Sequence, residues 1–281
     1  MRLLFKVLSF LPLLVLHGVG WLLGWLVFLL SATYRDRLIA NARQAGVVRH
    51  RWMKSVGAAG QLVAELPRLW MGTPVPVEWV GESYIEDALQ LGRGILFLTP
   101  HLGCFEVAAQ AYAAKFGQHG HPITVLYRPP RQSWLKSLVE SSRERPGLKT
   151  APTTLAGVKQ MVRALKAGEC VGLLPDQVPP DGLGEFAPFF GKDAYTMTLS
   201  VRLAAQTGAV VLFAWGERLA WGRGYRIHVQ SCPQEWSTNM PQALRQMNGV
   251  MESMVLNAPQ QYLWGYARYK TPRAVLPDTQ D

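Results

Sequence analysis

The sequence predicts an α/β fold, with a largely parallel central sheet flanked by helices and an N-terminal membrane-anchoring helix. Segments of strand length alternate with segments of helix length, which is typical of a sheet covered by helices. The run GILFLTP (94–100) is continuously apolar, as expected of a strand buried on both faces. The chain has 281 residues, enough for one large domain.

The N-terminal stretch predicts the anchor. From Val7 to Tyr34 the only ionisable side chains are His17 and Tyr34 itself, and about 20 apolar residues suffice to cross a bilayer as a helix. We therefore predict a hydrophobic membrane anchor at 1–34 and a second unit at 35–281. Two alternatives stay open, which are a buried core helix and, because the stretch contains a proline and three glycines, a kinked helix lying in one leaflet.

The elements after the anchor follow from local signals. Glycines such as Gly72 end helices, apolar runs mark strands, and a threonine cap begins the helix at 153–167. In chain order we predict a helix at 36–71, a strand at 74–82, a helix at 83–92, a strand at 94–100, a helix at 104–117, a strand at 122–127, helices at 132–145 and 153–167, a strand at 170–175, a helix at 196–207, strands at 209–215 and 225–230, and a helix at 238–257. No internal repeat and no glycine-rich phosphate loop is present in the sequence.

The charge balance favours acidic partners. Lys and Arg number 29 against 19 Asp and Glu, a net charge of +10, which suits anionic lipid, nucleic acid or an acidic protein. Residues 35–54 are strongly basic, and basic flanks of an apolar span stay cytoplasmic. The three cysteines are far apart, so neither a disulfide framework nor a zinc site is expected.

Three polar residues stand where predicted strands end, namely His101, Arg128 and Asp176. Sites in α/β sheets gather at the carboxyl ends of the strands, so we predict that these residues mark the functional site. A surface ion pair for Arg128 and a turn or helix cap for Asp176 are the alternative interpretations.

His101 and Glu106 form the candidate catalytic pair. Five positions on a regular helix turn through about 140°, so the two side chains meet only if His101 lies in the turn before the helix. Pro100 favours that placement because it restrains the residue before it. Glu106 would then hold one ring nitrogen and make His101 a general base. The alternative is a histidine with a structural hydrogen bond.

Five segments together resemble bacterial lipid A secondary acyltransferases, a family of the lysophospholipid acyltransferase superfamily. HLGCFE (101–106) resembles the family's H-x4-E block. The other similar segments, in family order, are VLYRPPRQSWL (125–135), LLPDQ (173–177), FFGKDAYT (189–196) and APQQYLWGYARYK (258–270). The chain departs from the family at Tyr266 and Ala267, which with Arg268 replace a His and two Arg, and at Leu-Gly-Cys-Phe within the first block.

The resemblance implies a role for each candidate residue. His101 would be the base and Glu106 its partner, Arg128 would bind a phosphate or the oxyanion, and Asp176 would position substrate or basic side chains. Gly103 would let the backbone approach the reacting carbonyl, where amides at a helix start stabilise an oxyanion.

The implied partners follow from the reaction. The donor would be an acyl thioester on acyl carrier protein, an acidic protein that suits a basic stretch containing Arg131; a solvated helix face is the alternative for that stretch. The acceptor would be a hydroxyl of a lipid A precursor at the cytoplasmic face of the bacterial inner membrane. No metal or cofactor is expected, because a thioester is already activated.

Other interpretations remain open from the residues alone. The acceptor could be a lysophospholipid or an ornithine lipid. Cys104 lies three residues from His101, which allows a Cys–His thioesterase. A membrane-anchored scaffold that binds nucleic acid is the non-enzymatic alternative, although the sequence has no known nucleic-acid motif.

Overall fold

The computed structural model describes residues 2–127 and 145–273. Its helices within those ranges are α1 (Arg2–Leu8), α2 (Leu13–Leu30), α3 (Ala32–Gln44), α4 (Arg49–Ala64), α5 (Leu66–Met71), α6 (Ser83–Gln90), α7 (Phe105–Lys115), α8 (Leu155–Lys166), α9 (Leu199–Thr207) and α10 (Met240–Asn257). Its strands are β1 (Val77–Val80), β2 (Ile95–Leu98), β3 (Ile123–Tyr127), β4 (Leu148–Pro152), β5 (Cys170–Leu173), β6 (Gly184–Phe189), β7 (Lys192–Met197), β8 (Val210–Arg218) and β9 (Tyr225–Ser231).

Seven strands form the central sheet in the order β1-β9-β8-β2-β5-β3-β4. Neighbouring strands run parallel except for the antiparallel pair β8–β9. Helices cover both faces of this sheet, so the predicted α/β fold with a largely parallel sheet is confirmed. Strands β6 and β7 form a separate antiparallel hairpin.

The central strand β2 shows why its sequence is continuously apolar. Leu96 and Leu98 point into one hydrophobic cluster, and Ile95 and Phe97 point into a second cluster on the opposite face. The four side chains are at most 5% exposed. A strand with helices on both faces has no solvent side, and the polar alternation of a one-sided strand is therefore missing.

Two predicted helices are interrupted. The stretch at 36–71 is three helices, because Gly46 adopts a left-handed φ of 67° between α3 and α4, and Pro67, which lacks an N–H, lies in the first turn of α5. The predicted anchor is also broken, since α1 ends before Pro12 and α2 begins after it. The helix predicted at 132–145 falls mostly outside the described residues.

Strand β4 and the β6–β7 hairpin were not predicted. Strand β4 reads LKTAP and lies at the edge of the sheet, where a continuous apolar run is not required. The hairpin reads GEFAPF and KDAYTM, and its glycine, proline and charges are depleted in strands. The helix expected from residue 196 begins at Leu199 because Thr196 belongs to β7.

Among the described residues, α2 is the one helix long and apolar enough to cross a membrane, with a mean hydropathy of 2.2. One third of its residues are buried inside the protein, mainly against α4. The boundary predicted at residue 34 falls within α3, and the division into an anchor and a second unit stays a prediction.

Candidate active site

The sheet brings His101 and Asp176 together. His101 follows β2 and Asp176 follows β5, and these two strands are parallel neighbours. The ladder continues beyond their ends, where the Thr99 amide donates to the Leu173 carbonyl at 2.9 Å. Two of the three strand-end residues picked out in the sequence are therefore in contact, and Arg128 lies outside the described residues.

The imidazole of His101 is held at both nitrogens. Its Nδ1 lies 2.6 Å from Oδ1 of Asp176, and its Nε2 lies 3.0 Å from Nε2 of Gln177. A carboxylate only accepts and an amide NH₂ only donates, so Nδ1 carries the proton and Nε2 presents its lone pair. This is the tautomer that a general base needs, and the His101 side chain is 16% exposed.

Asp176 is fixed by several donors. Its Oδ2 accepts from the His101 backbone amide at 2.9 Å and from the Tyr262 hydroxyl at 3.2 Å. Burial would raise the pKa of Asp176, but the charge and hydrogen bonds of His101, together with the charge of Arg268, outweigh burial and leave that pKa below its ordinary value. The carboxylate therefore stays ionised and can stabilise an imidazolium.

Glu106 does not hold the imidazole in this structure, which corrects the expected contact. It lies in the first turn of α7, and its Oε2 accepts from the Trp70 indole at 3.3 Å. The orienting carboxylate comes instead from Asp176, 75 positions away. Glu106 still lies next to Phe105, whose ring packs against His101 at a centroid distance of 5.0 Å. Its catalytic role stays a prediction.

Gly103 serves the fold of the catalytic loop. Its φ is 61°, and a Cβ atom there would lie 2.0 Å from the Gly216 carbonyl oxygen. The Gly103 amide donates to Gln261 O at 3.0 Å, and the Cys104 amide donates to Gly216 O at 2.7 Å. The close backbone approach that glycine permits is therefore to strand β8, and the amides of Gly103 and Cys104 are both occupied by carbonyl oxygens.

Three further residues support the site and were not singled out individually from the sequence. Gln177 contacts His101, Tyr262 contacts Asp176, and the buried Arg268 donates to Tyr195 O and Thr196 Oγ1, both at 2.8 Å. All three lie in segments that resemble the family, so their position in those segments is the sequence feature that could have identified them.

Only part of the predicted basic stretch lies within the described residues. Arg128 and Arg131 lie outside the described residues. Of the described members, Arg145 donates to the Leu69 carbonyl at 2.5 Å and Lys149 pairs with Glu169 at 2.9 Å. Within the described ranges, no group of three or more His, Cys, Asp and Glu side chains could hold a metal ion.

A largely apolar cavity that is partly open to solvent lies next to Phe105. Phe105 joins the cavity to the imidazole, because its ring contacts His101 and also lines the cavity. The other walls come from α7 and from strands of the sheet, and include Ala109, Tyr112, Val125 and Gly172. The shape and lining suit a hydrocarbon chain.

Cys104 is a poor nucleophile in this fold. Its side chain is fully buried, and burial, assisted by the nearby Glu65 charge, raises the pKa of its thiol well above the ordinary value. A reactive thiol needs exposure and a lowered pKa. The geometry does not favour the Cys–His thioesterase.

A histidine held by a buried carboxylate at the carboxyl edge of an α/β sheet, next to a largely apolar cavity, is the arrangement of an enzyme that acts on a lipid. Comparison with known proteins agrees with this class. The sequence model of the bacterial lipid A biosynthesis acyltransferases matches residues 5–271. The chain therefore belongs to the bacterial lipid A biosynthesis acyltransferase family, and the predicted O-acyltransferase class is confirmed.

Individual relatives are 27% to 31% identical to this chain over the aligned residues. The lipid A biosynthesis palmitoleoyltransferase of Escherichia coli K12 is 27% identical over 86% of this chain and 74% of its own length. The lipid A biosynthesis lauroyltransferase of the same organism is 31% identical over 69% of this chain and 62% of its own. A lipid A biosynthesis acyltransferase of Haemophilus influenzae is 28% identical over 66% of this chain and 57% of its own length.

Proposed function

We propose that this protein transfers a fatty acyl chain from acyl carrier protein to a hydroxyl of a lipid A precursor at the cytoplasmic face of the inner membrane, with His101 as the general base. The observation that carries the proposal is His101, whose Nδ1 is held by Asp176 and whose ring packs against Phe105 in the wall of an apolar cavity. The matched family and the names of the relatives agree with acyl transfer to lipid A.

The acyl chain would lie in the cavity, with its thioester carbonyl near Phe105 and His101. Burial of each methylene contributes about 0.8 kcal/mol, so the cavity supplies binding and also positions the carbonyl. The acceptor hydroxyl would displace the Gln177 amide from Nε2. Displacement by a hydroxyl keeps Nε2 hydrogen-bonded, now to the proton that it will remove.

The reaction then proceeds without a covalent enzyme intermediate. The hydroxyl oxygen attacks the thioester carbon as its proton passes to His101 Nε2, and the resulting imidazolium is stabilised by Asp176. Amides in the first turn of α7 stabilise the oxyanion. The carbon–sulfur bond breaks, the imidazolium returns the proton to the sulfur, and the carrier leaves as a thiol.

Glu106 remains in the proposal as the second catalytic residue. For it to hold the ring, the imidazole must turn towards α7 after Gln177 is displaced, and Glu106 must leave Trp70. Asp176 and Glu106 are therefore alternative partners of the His101 ring during the reaction, and separate substitutions of the two carboxylates distinguish them.

The test is product analysis with the full chain, acyl carrier protein thioesters and a lipid A precursor, read by mass spectrometry. We expect His101→Ala to lower the transfer rate by about 10²–10⁴-fold, the usual contribution of a general base. The matched control is His119→Ala, because His119 is an exposed histidine in the turn after α7. Equal rates for His101→Ala and wild type would overturn the assignment of the base.

A further inference from the structure

Helices α1 and α2 present an apolar stripe to the outside of the protein. Its side chains are between 45% and 77% exposed, and they are Leu3, Leu4, Val7, Phe10, Leu14, Val15, Val19, Trp21, Leu22, Leu23, Leu26, Val27, Leu29 and Leu30. Soluble proteins rarely expose an apolar surface this large and continuous. The stripe therefore needs an apolar partner.

The opposite side of α2 is packed on the body over nearly its whole length. Gly20 is so close to α4 that a Cβ atom would lie 2.6 Å from the Gln61 Cα, and one on Gly24 would lie 2.2 Å from the Val56 carbonyl oxygen. Phe28 contacts Trp52 at a ring-centroid distance of 6.5 Å.

The first turns of α2 are fixed as firmly as the last. His17 Nε2 lies 3.0 Å from Oε2 of Glu65, in a buried hydrogen bond between α2 and the residue that follows α4. The turn at Ala220–Gly222 packs on Leu13 and Leu14. Contacts from Leu13 to Phe28 cover about 22 Å at 1.5 Å per residue, so α2 lies along the body and does not project from it.

This packing conflicts with α2 as a membrane-spanning helix. A helix of 18 residues is about 27 Å long, close to the roughly 30 Å hydrocarbon thickness. If α2 stood upright in the bilayer, then α4 with its exposed Lys54, and the irregular turn at Ala220–Gly222, would lie at membrane depth beside it. Lipid-exposed irregular backbone does not occur at that depth.

The edges of the stripe carry the side chains of a membrane interface. Arg2, Lys6 and Arg37 are exposed around it, and basic side chains complement anionic head groups. Trp221 is 81% exposed and has a left-handed φ of 61° in the turn against Leu14. Tryptophan is enriched at the level of the head groups.

We propose that α1 and α2 lie in the plane of the membrane, with the apolar stripe in a single leaflet and both ends of α2 on the same side of the bilayer. The apolar stripe is then the surface by which the protein binds the membrane, and the sheet and its site lie against the bilayer without being crossed by it. The inference depends on the packing and exposure of the N-terminal helices and not on the acyl group or acceptor.

Topology in native membranes tests the proposal. Cys104 and Cys170 are buried and can stay, so only Cys232→Ser is needed as a background. Lys6→Cys reports the N-terminal side, and Asp193→Cys, in the exposed part of the β6–β7 hairpin, reports the body. Each variant is treated with a membrane-impermeant maleimide in spheroplasts and in inverted inner-membrane vesicles.

We expect Lys6→Cys and Asp193→Cys to be labelled in the same preparation, the inverted vesicles. Labelling of Lys6→Cys in spheroplasts and Asp193→Cys in inverted vesicles would establish a spanning helix and overturn the inference. Labelling of both in spheroplasts would support the in-plane helix and overturn the cytoplasmic site of the proposed function. The two proposals therefore fail separately.

Discussion

Among the described residues, two histidines contact a fully buried carboxylate, and the two pairs differ in what surrounds them. His17 and Glu65 lie 3.0 Å apart with side-chain exposures of 6% and 0%, whereas His101 and Asp176 lie 2.6 Å apart with exposures of 16% and 2%. The distances are similar, so a histidine beside a carboxylate does not by itself define a catalytic site. At His101, the second ring nitrogen contacts the Gln177 amide, and the ring packs against Phe105 in the wall of the apolar cavity.

Glu65 is saturated by structural donors. Arg218 binds both of its oxygens at 2.7 Å, and the Tyr225 hydroxyl adds a bond of 2.8 Å. Burial would raise the pKa of Glu65, but Arg218 and His17 together lower it to about 2. The fixed charge joins α2 to the sheet, and Arg218 also donates to the Gly103 carbonyl at 3.3 Å. Glu65 and its partners therefore stabilise the loop that contains His101 and Gly103.

Asp176 orients Nδ1 of His101, and in the proposed mechanism the other nitrogen, Nε2, removes the proton of the acceptor. Replacing Asp176 with Asn turns one of its two acceptor oxygens into an NH₂ donor. The remaining oxygen is taken by the His101 amide and the Tyr262 hydroxyl, so the NH₂ faces Nδ1 and favours the other tautomer. We expect the transfer rate to fall by about 10³–10⁴-fold. Glu106→Gln, which keeps the side-chain shape, is expected to lower the rate by about 10²-fold. Both rates are measured by mass spectrometry under saturating thioester.

The order of the two effects identifies the carboxylate that holds the ring during the reaction. A Glu106→Gln loss larger than that of Asp176→Asn would show that the ring turns to Glu106 in the reacting complex. A wild-type rate for Asp176→Asn would contradict the orienting role of Asp176.

The sequence located the site better than it located the contacts within it. His101 and Asp176 were predicted to share an edge because the ends of parallel strands meet there. Sequence spacing favours Glu106 as the partner of His101 because it is the one carboxylate in HLGCFE. No local pattern in the sequence indicates that β2 and β5 are neighbours, which is what brings Asp176 to His101. The hydrogen bonds of Gly103 were hidden for the same reason, since its acceptor Gln261 lies far along the chain.

The structural pair is tested by Arg218→Met, which leaves Glu65 buried without its main counter-charge. Breaking a buried ion pair on one side costs about 3–5 kcal/mol of unfolding free energy, and we expect a loss of that size in chemical denaturation of the detergent-solubilised chain. The matched control is Arg226→Met, whose pair with Glu78 is 36% and 55% exposed, so that its loss should change the free energy of unfolding much less. Equal losses would contradict the structural role of Arg218.

The helix carrying His17 depends on close packing as well as on the ion pair. Gly24→Ala places a Cβ atom against the Val56 carbonyl, and we expect a loss of about 1–3 kcal/mol from overpacking. Gly18 lies on the same helix, and a Cβ atom there would have nothing within 4 Å, so Gly18→Ala should be neutral or stabilising by up to about 1 kcal/mol. Thermal unfolding of both variants measures the difference, and similar values would show that α2 is not seated on α4.

The cavity next to Phe105 gives the smallest predicted effect. A Cβ atom on Gly172 would lie 3.3 Å from the Val125 Cγ1 and 3.6 Å from the Ile123 Cδ1, so a larger side chain there occupies the cavity. We expect Gly172→Val to shift the preference between donors that differ by two carbons towards the shorter chain by about tenfold, since one methylene is worth about 1–3 kcal/mol in an apolar pocket. The measurement is competition between two acyl carrier protein thioesters in one reaction. Gly249→Val is the control, because Gly249 is exposed on α10; an unchanged ratio for Gly172→Val would exclude this cavity as the acyl site.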